Sequence, residues 1–501
     1  MTSVKRSMQR NVGASWLVHA ASLVIGFFLM PYVIHVLGDS QYGVWVFINC
    51  IAGYAGLLYL GFGATISRYV AKYSAAEEWQ KLNEVTSLVF FIYFSMGLVA
   101  LVGAVILAIL VPYFPIWKEY SVFELRMVIL LLGLNFAIGI SGSVFGGVLM
   151  GLRRFDLERA ISFTVDVTRL VLIVTFLHQR WGLLTIAAIY CVVTLTENVG
   201  HMILVFRKLP QLSIRLRHLN WSIFKECSAF SGFAFLNSVA LQLIYATDTI
   251  VIGVFLGESA ITPYFIALRL CQYLRQPIEK ISDVCMPTAG ALQAQVQSGT
   301  LKELFCKALG FTFLLSAGIF IGASFFGNAL IHTWMGSGYE QTPALLTILL
   351  LGQIVALPVG VLRAMLFGMG HVRLPALVHL AEAGVNLVLS IILAKTMGVQ
   401  GVAWGTSIPI IVFELGVILP VGLKQLGIPW LAVVREGIIP FLLPLIALWY
   451  YCEAVARQFP SHQNWTALIA ITCGGGAVLA VVWLAQILLE RVTTPRRVST
   501  T

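Results

Sequence analysis

The sequence predicts an all-α polytopic membrane protein, and three observations carry that prediction. Of 501 residues, 59% are hydrophobic and 11% charged, where a soluble domain carries about 25% charge. Apolar runs of roughly twenty residues, the length that crosses a bilayer as a helix, recur from end to end. Lys and Arg gather at the ends of those runs, the pattern of cytoplasmic loops. An outer-membrane barrel is excluded, because barrel strands alternate and give no long apolar runs.

Fourteen spanning helices are predicted, over residues 13–37, 41–63, 85–111, 125–150, 160–177, 183–205, 227–256, 263–289, 305–332, 343–369, 375–395, 401–422, 437–456 and 465–489. The basic start "MTSVKRSMQRN" precedes the first run, Ser15 to Leu37. That run exceeds the roughly 7–15 residue core of a cleaved signal peptide, so it reads as a retained helix. An even number of crossings puts both termini on one side. The loops on that side hold 22 Lys and Arg, against 5 opposite. Both termini are therefore predicted to be cytoplasmic. The two longest inner loops, 64–84 and 206–226, mix basic and apolar residues. They are predicted to be amphipathic helices lying on the anionic inner leaflet.

The chain repeats itself. "VLGDSQYGVWVF" from Val36 matches "FLGESAITPYFI" from Phe255, and "LMGLRRF" from Leu149 matches "LFGMGHV" from Leu366. Gly38 and Gly257 are 219 apart, Gly151 and Gly368 are 217 apart, and offset 217 also carries Glu197 onto Glu414. Six helices separate the halves. An even spacing makes the repeats parallel, related by a pseudo-two-fold axis along the membrane normal. The predicted domains are an N-terminal six-helix lobe at 1–206, a cytoplasmic linker at 207–226, a C-terminal six-helix lobe at 227–425, and an extra helix pair with tail at 426–501.

The eighth helix is the most polar. "RLCQYLRQPIEKISDVC", Arg269 to Cys285, carries Arg269, Gln272, Gln276, Glu279, Lys280 and Asp283 at spacings of three and four, with Arg275 beside them. If this segment did not cross, every later loop would change sides and the charge bias would fail across the second half. It therefore crosses. A polar stripe at this depth faces protein or a water-filled cavity. It is either an ion-pair lattice that locks helices or the wall of a substrate cavity. Asp248 and Arg269 fall at similar depths, roughly 10–12 Å from the outer turn at 1.5 Å per residue, and could pair. Arg275 would then be the better ligand for a substrate.

Other intramembrane charges are weighed the same way. Asp166 and Arg169 are three residues apart and can satisfy each other. Arg363 has no acid near it in sequence and is a cavity candidate. Glu197, Glu382 and Glu414 are protonation or hydrogen-bonded core sites. His19, His35 and His379 read as packed side chains. Arg68, ending the second helix, either snorkels to headgroups or captures a phosphate at the cytoplasmic entrance. A guanidinium forks two oxygens of a phosphate and never deprotonates. Arg269, Arg275 and Arg363 with Gln272 and Gln276 therefore suit an anionic substrate such as a pyrophosphate. Asp248, Glu279, Glu197, Glu414, Asp166 and Arg169 are the coupling or ion-pair candidates.

The net charge of +10 follows from the loop bias and does not imply nucleic acid. No P-loop, dinucleotide fingerprint or metal-ligand spacing occurs, so no cofactor and no metal are predicted. The eight cysteines lie in or beside apolar runs, with no C-x-x-C pair, and read as small buried hydrophobes.

"LGFGATISRYVAKY" at the end of the second helix, "DTIVIGVFLGESAITPYFIALRL" from Asp248 to Leu270, and Pro287-Thr288 together resemble Wzx-type lipid-linked oligosaccharide flippases. These belong to the multidrug/oligosaccharidyl-lipid/polysaccharide exporter superfamily. The resemblance covers roughly residues 8–425. Many members have twelve helices, whereas lipid II flippases have fourteen. The resemblance implies a non-enzymatic transporter in the bacterial cytoplasmic (inner) membrane. It would move a polyprenyl-pyrophosphate-linked oligosaccharide to the outer leaflet for surface polysaccharide, O-antigen or exopolysaccharide, by alternating access coupled to an ion gradient. Membrane lipids, a polysaccharide polymerase and glycosyltransferases are the implied partners. The alternatives are a multidrug cation antiporter or a lipid II flippase. A glycosyltransferase or polymerase using the same carrier fits poorly, because such enzymes need a sizeable outer loop.

Overall fold

The computed structural model describes residues 21–59, 62–113, 121–152, 154–177, 182–294, 298–371, 373–458 and 464–493. Among these residues there is no β-strand. The helices, in chain order, are α1 (Ala21–Leu37), α2 (Asp39–Tyr59), α3 (Phe62–Ala75), α4 (Trp79–Leu110), α5 (Val122–Gly151), α6 (Phe155–Phe176), α7 (Gly182–Lys208), α8 (Trp221–Phe255), α9 (Ile261–Ala294), α10 (Ser298–Met335), α11 (Thr342–Gly368), α12 (Arg373–Leu426), α13 (Trp430–Gln458) and α14 (Trp465–Thr493). Among the described residues, nine helices are long and apolar enough to cross a membrane. One of them, α12, runs 54 residues. It breaks at Gly398, whose φ of 61° and ψ of −140° are not helical, so its two arms match the predicted helices at 375–395 and 401–422. The protein is an all-α polytopic membrane protein.

The predicted helix at 41–63 is not uniform. From Ala55 to Tyr59 the chain tightens into a 3₁₀ turn before α3 begins at Phe62. Gly53, Gly56, Gly61 and Gly63 fall here, and glycine is the weakest helix former after proline.

The two inner loops also differ from expectation. The first does form a helix, α3, but its apolar face is buried in protein. Ile66, Val70 and Tyr73 pack against Leu82, Val85 and Val89 of α4 and Val144 and Val148 of α5. The second is not a surface helix. Between α7 and α8 the only helical stretch is the 3₁₀ turn Leu216–His218. Pro210 has no N–H to continue α7, and the freed backbone bonds to α4 instead. Asn83 accepts from the Ser213 N–H at 2.9 Å and donates to the Gln211 carbonyl at 3.2 Å. Ser87 accepts from the Arg215 N–H at 3.2 Å. Asn220 then caps α8, accepting from the Ser222 N–H at 2.9 Å.

The chain divides into two compact units, Met1–Thr262 and Pro263–Thr501. The first has its core where α3, α4, α5 and α7 meet the start of α8. The second has one core from α9 to α13. A further apolar contact sets Leu314 and Ile321 of α10 against Phe441 and Leu448 of α13, with Leu479 and Trp483 of α14 beside it.

The sequence repeat has an atomic counterpart. Gly38 and Gly257 both take positive φ, 77° and 93°, a region that favours glycine. Gly151 and Gly368 both admit a backbone where a side chain would not fit. A Cβ on Gly151 would lie 2.8 Å from the Ser67 carbonyl oxygen, and one on Gly368 would lie 1.9 Å from the Met286 carbonyl oxygen. Ser67 and Met286 are themselves 219 residues apart, the offset of Gly38 and Gly257.

Candidate functional site

The polar residues of α9 lie along one stripe of the helix. The Arg269 guanidinium sits 5.1 Å from the Phe265 ring centroid, one turn back, and donates to Gln272 Oε1 at 3.2 Å. One turn further on, Arg275 Nε lies 3.2 Å from Glu279 Oε1. The Arg275 side chain is 14% exposed and that of Glu279 42%, so the acid is the wetter partner. Gln276 is half-buried, Lys280 is exposed, and the Asp283 side chain lies outside those described. Helical spacing of three and four brings these groups together without help from other elements.

A second cluster joins α11 to α12. Arg363 pairs with Glu414, which opens a π-helical turn, Glu414–Ile418. Such widened turns are frequent at functional sites. The Arg363 side chain is 19% exposed and that of Glu414 1%. Donor atoms of His379, Glu382 and Glu414 lie within 4.8 Å of one another. That spacing alone would admit a cation, but Arg363 already brings positive charge to Glu414. Gly360 stands between this cluster and α9. A Cβ there would lie 3.4 Å from Arg363 Nη2 and 3.9 Å from Ser282 Oγ.

The candidates of the first unit are each held. Asp166 accepts from Ser22 at 2.6 Å and pairs with Arg169 at 3.1 Å. The Arg169 guanidinium also lies 5.0 Å from the Tyr190 ring centroid. Glu197 accepts from Ser162 at 2.9 Å. Asp248 is 1% exposed, beside a 2.7 Å hydrogen bond between Tyr54 and Thr247. Arg68 is exposed at 5.8 Å from the Tyr69 ring. Beyond the crossings, Arg154 donates to both Asp156 oxygens at 3.0 and 2.9 Å. Those bonds hold the Asp156 carboxyl below the ordinary carboxylate range. The first unit also has an apolar cavity of about 390 Å³, open to the surface and lined by Phe47, Ile51, Gly133, Phe136 and Ile250, with no predicted charge among its lining residues.

Sequence reading named every intramembrane charge above. It missed that Arg363 has an acid, and that Glu382 and His379 share its surroundings. The acid sits 51 residues along the chain, beyond any helical spacing. The available signal was the i, i+3, i+7 pattern His379, Glu382, Asn386, which places three polar groups on one helix face.

Residues 8–293 match the model of a family described as polysaccharide biosynthesis protein. The chain is 20% identical over 470 residues to the "Uncharacterized membrane protein EpsK" of Bacillus subtilis (strain 168), covering 92% of this chain and 91% of that protein. It is 20% identical over 428 residues to a "Putative O-antigen transporter" of Shigella flexneri, covering 83% and 96%. Among solved structures, an inward-closed lipid II flippase MurJ aligns with a TM-score of 0.71 at 16% identity, over 96% of this chain and 99% of that one. An inward-facing multidrug resistance MATE family transporter of the MOP superfamily aligns with a TM-score of 0.68 at 17% identity, over 82% and 94%. At these identities the structures speak for the fold alone.

Proposed function

The chain belongs to the polysaccharide biosynthesis protein family, and from that membership we propose that it flips a polyprenyl-pyrophosphate-linked oligosaccharide from the cytoplasmic to the outer leaflet. It is a multi-pass membrane protein whose relatives include a protein described as a "Putative O-antigen transporter". The bias of 22 basic loop residues against 5 supports cytoplasmic termini in a bacterial inner membrane.

The observation that carries the reading is the α9 stripe. Arg269 and Arg275 stand on a helix whose acids do not outnumber its bases, and Arg275 is held by a partner wet enough to exchange. A pyrophosphate presents more oxygens than one carboxylate, in a geometry that a guanidinium forks. Arg275 is the headgroup ligand in this reading, with Gln272 and Gln276 toward the sugar. Arg269 is the ion-pair or gating residue, with Asp248 as its proposed partner. Arg68 meets the phosphate at the cytoplasmic entrance. The two lobes rock about the headgroup, the polyprenyl tail stays in lipid, and an ion gradient drives the cycle. Glycosyltransferases that build the oligosaccharide and a polymerase that consumes it are the proposed partners.

A lipid II substrate is a second reading, which the fourteen predicted helices leave open. Purified protein in proteoliposomes separates the readings. A fluorescent polyprenyl-pyrophosphate oligosaccharide should cross the bilayer under an imposed ion gradient. Movement of lipid II alone would select the second reading. Transport of organic cations alone would select a drug antiporter.

A further inference from the structure

We infer that His379, Glu382 and Glu414 form a buried proton-binding site in the second unit, which takes up one proton on the Glu382 carboxyl. This goes beyond the transport reading and stands on the cluster's own geometry.

Charge is the first ground. Glu382 and Glu414 carry two negative charges when ionised, and Arg363 supplies one positive charge. Glu382 is 4% exposed and Glu414 1%. Their surroundings are apolar, with Leu362, Met365 and Ile418 at 0% and Val378 at 8%. An uncompensated charge in such a place is costly, and the group sheds it by binding a proton.

Hydrogen bonding is the second ground. Glu382 Oε2, Glu414 Oε2, Asn386 Oδ1 and His379 Nδ1 are all buried without a hydrogen-bond partner. Three of these four are pure acceptors. The three acceptors have no donor directed at them. A proton on Glu382 makes its carboxyl a donor in the midst of them. The amide of Asn386 sends one of its two Nδ2 hydrogens to Thr406 at 3.1 Å, while its Oδ1 has no donor directed at it.

Among the described residues, the groups near Glu382 come from three places. Arg363 comes from α11, Glu414 from the π turn, and His379 and Asn386 from its own helix. The imidazole argues for a proton over a sodium ion, which prefers a shell of oxygens. The first unit provides a comparison. Offset 217 carries Ser162 onto His379, Glu197 onto Glu414, Val165 onto Glu382 and Gly146 onto Arg363. There a single carboxylate is satisfied by a hydroxyl at 2.9 Å. At the matched positions the second unit has an added acid, an imidazole and a guanidinium.

The test uses the purified full-length chain and needs no transport. Infrared difference spectra between low and high pH read the carbonyl band of a protonated carboxyl. One such band should appear in the wild type, vanish in Glu382→Gln and persist in Glu197→Gln. Dicyclohexylcarbodiimide, which modifies protonated carboxyls in apolar surroundings, should label the peptide holding Glu382. Above the site's own pKa that labelling should fall about tenfold per pH unit. Sodium at fixed pH should not protect. An unchanged band in Glu382→Gln would place the proton elsewhere. Sodium protection would replace the proton with a metal cation. Absence of both band and label in the wild type would end the proposal, and needs no variant to fold.

Discussion

Ser40 and Glu258 lie 218 residues apart in sequence, yet the Ser40 hydroxyl donates to the Glu258 carboxylate at 3.4 Å. Each belongs to a copy of the same Leu-Gly-acid-Ser turn. Alongside them, the Thr262 hydroxyl donates to the Asp39 carbonyl at 2.7 Å. The two copies of the turn are seated against each other inside the first unit, and α2 is held by the chain that follows α8.

That seating depends on a missing side chain. A Cβ on Gly43 would lie 2.0 Å from the Glu258 carbonyl oxygen, a backbone atom that no rotamer change can move. Gly43→Ala should therefore destabilise the protein by about 1–3 kcal/mol, the cost of overpacking. Thermal unfolding in detergent reads the effect. Gly384→Ala, at an exposed helical position where nothing lies within 4 Å, should instead raise the midpoint slightly, because alanine favours a helix over glycine by about 1 kcal/mol.

Arg363 and Glu414 form a buried pair, so removing one partner strands the other. Arg363→Ala should cost roughly 3–5 kcal/mol. The double variant Arg363→Ala, Glu414→Gln should recover most of that loss, because no charge is left behind. Additive losses in the same unfolding assay would mean that the two groups do not depend on each other.

Glu279 competes with substrate for Arg275 if the transport reading holds. Arg275→Ala should abolish flipping in proteoliposomes while the protein still folds. Glu279→Gln should raise apparent affinity for the polyprenyl-pyrophosphate, since it weakens the internal partner without touching the guanidinium. Initial rates across a range of substrate densities check both. Wild-type rates in Arg275→Ala would remove that residue from the site.

Asn220 is the cap of α8. Asn220→Ala should cost about 1 kcal/mol locally. Amide hydrogen exchange at Ser222 to Phe224 should accelerate, while exchange at the fully buried Val89 and Val144 stays as in the wild type.

The sequence was most informative where a signal is local. Every predicted crossing has a helix over its described residues, because an apolar run of twenty residues has few other ways to satisfy its backbone in lipid. The repeat was readable because Gly38, Gly257, Gly151 and Gly368 meet backbone constraints that only glycine relieves. Two kinds of feature escaped. Whether the apolar face of α3 would meet lipid or protein could not be read from its own residues, since both solvents suit Ile66 and Val70. Nor could the Arg363–Glu414 pair, because two charges 51 residues apart advertise nothing until two helices set them side by side. The segment after α7 misled for a related reason. Its basic and apolar mixture fits a surface helix, but Asn83 and Ser87 on α4 offer its backbone better partners.

The matched positions Ser162 and His379 hold a further consequence. Were the halves two identical chains, any residue suited to one core would be imposed on the other. Joined in one polypeptide, each copy accumulates its own substitutions. One half kept a neutral hydroxyl beside its carboxylate, while the other took on an imidazole, a second acid and a guanidinium. Asymmetry of that kind is open to a fused duplicate and closed to a homodimer. It lets one of two similar halves carry ionisable chemistry that the other lacks.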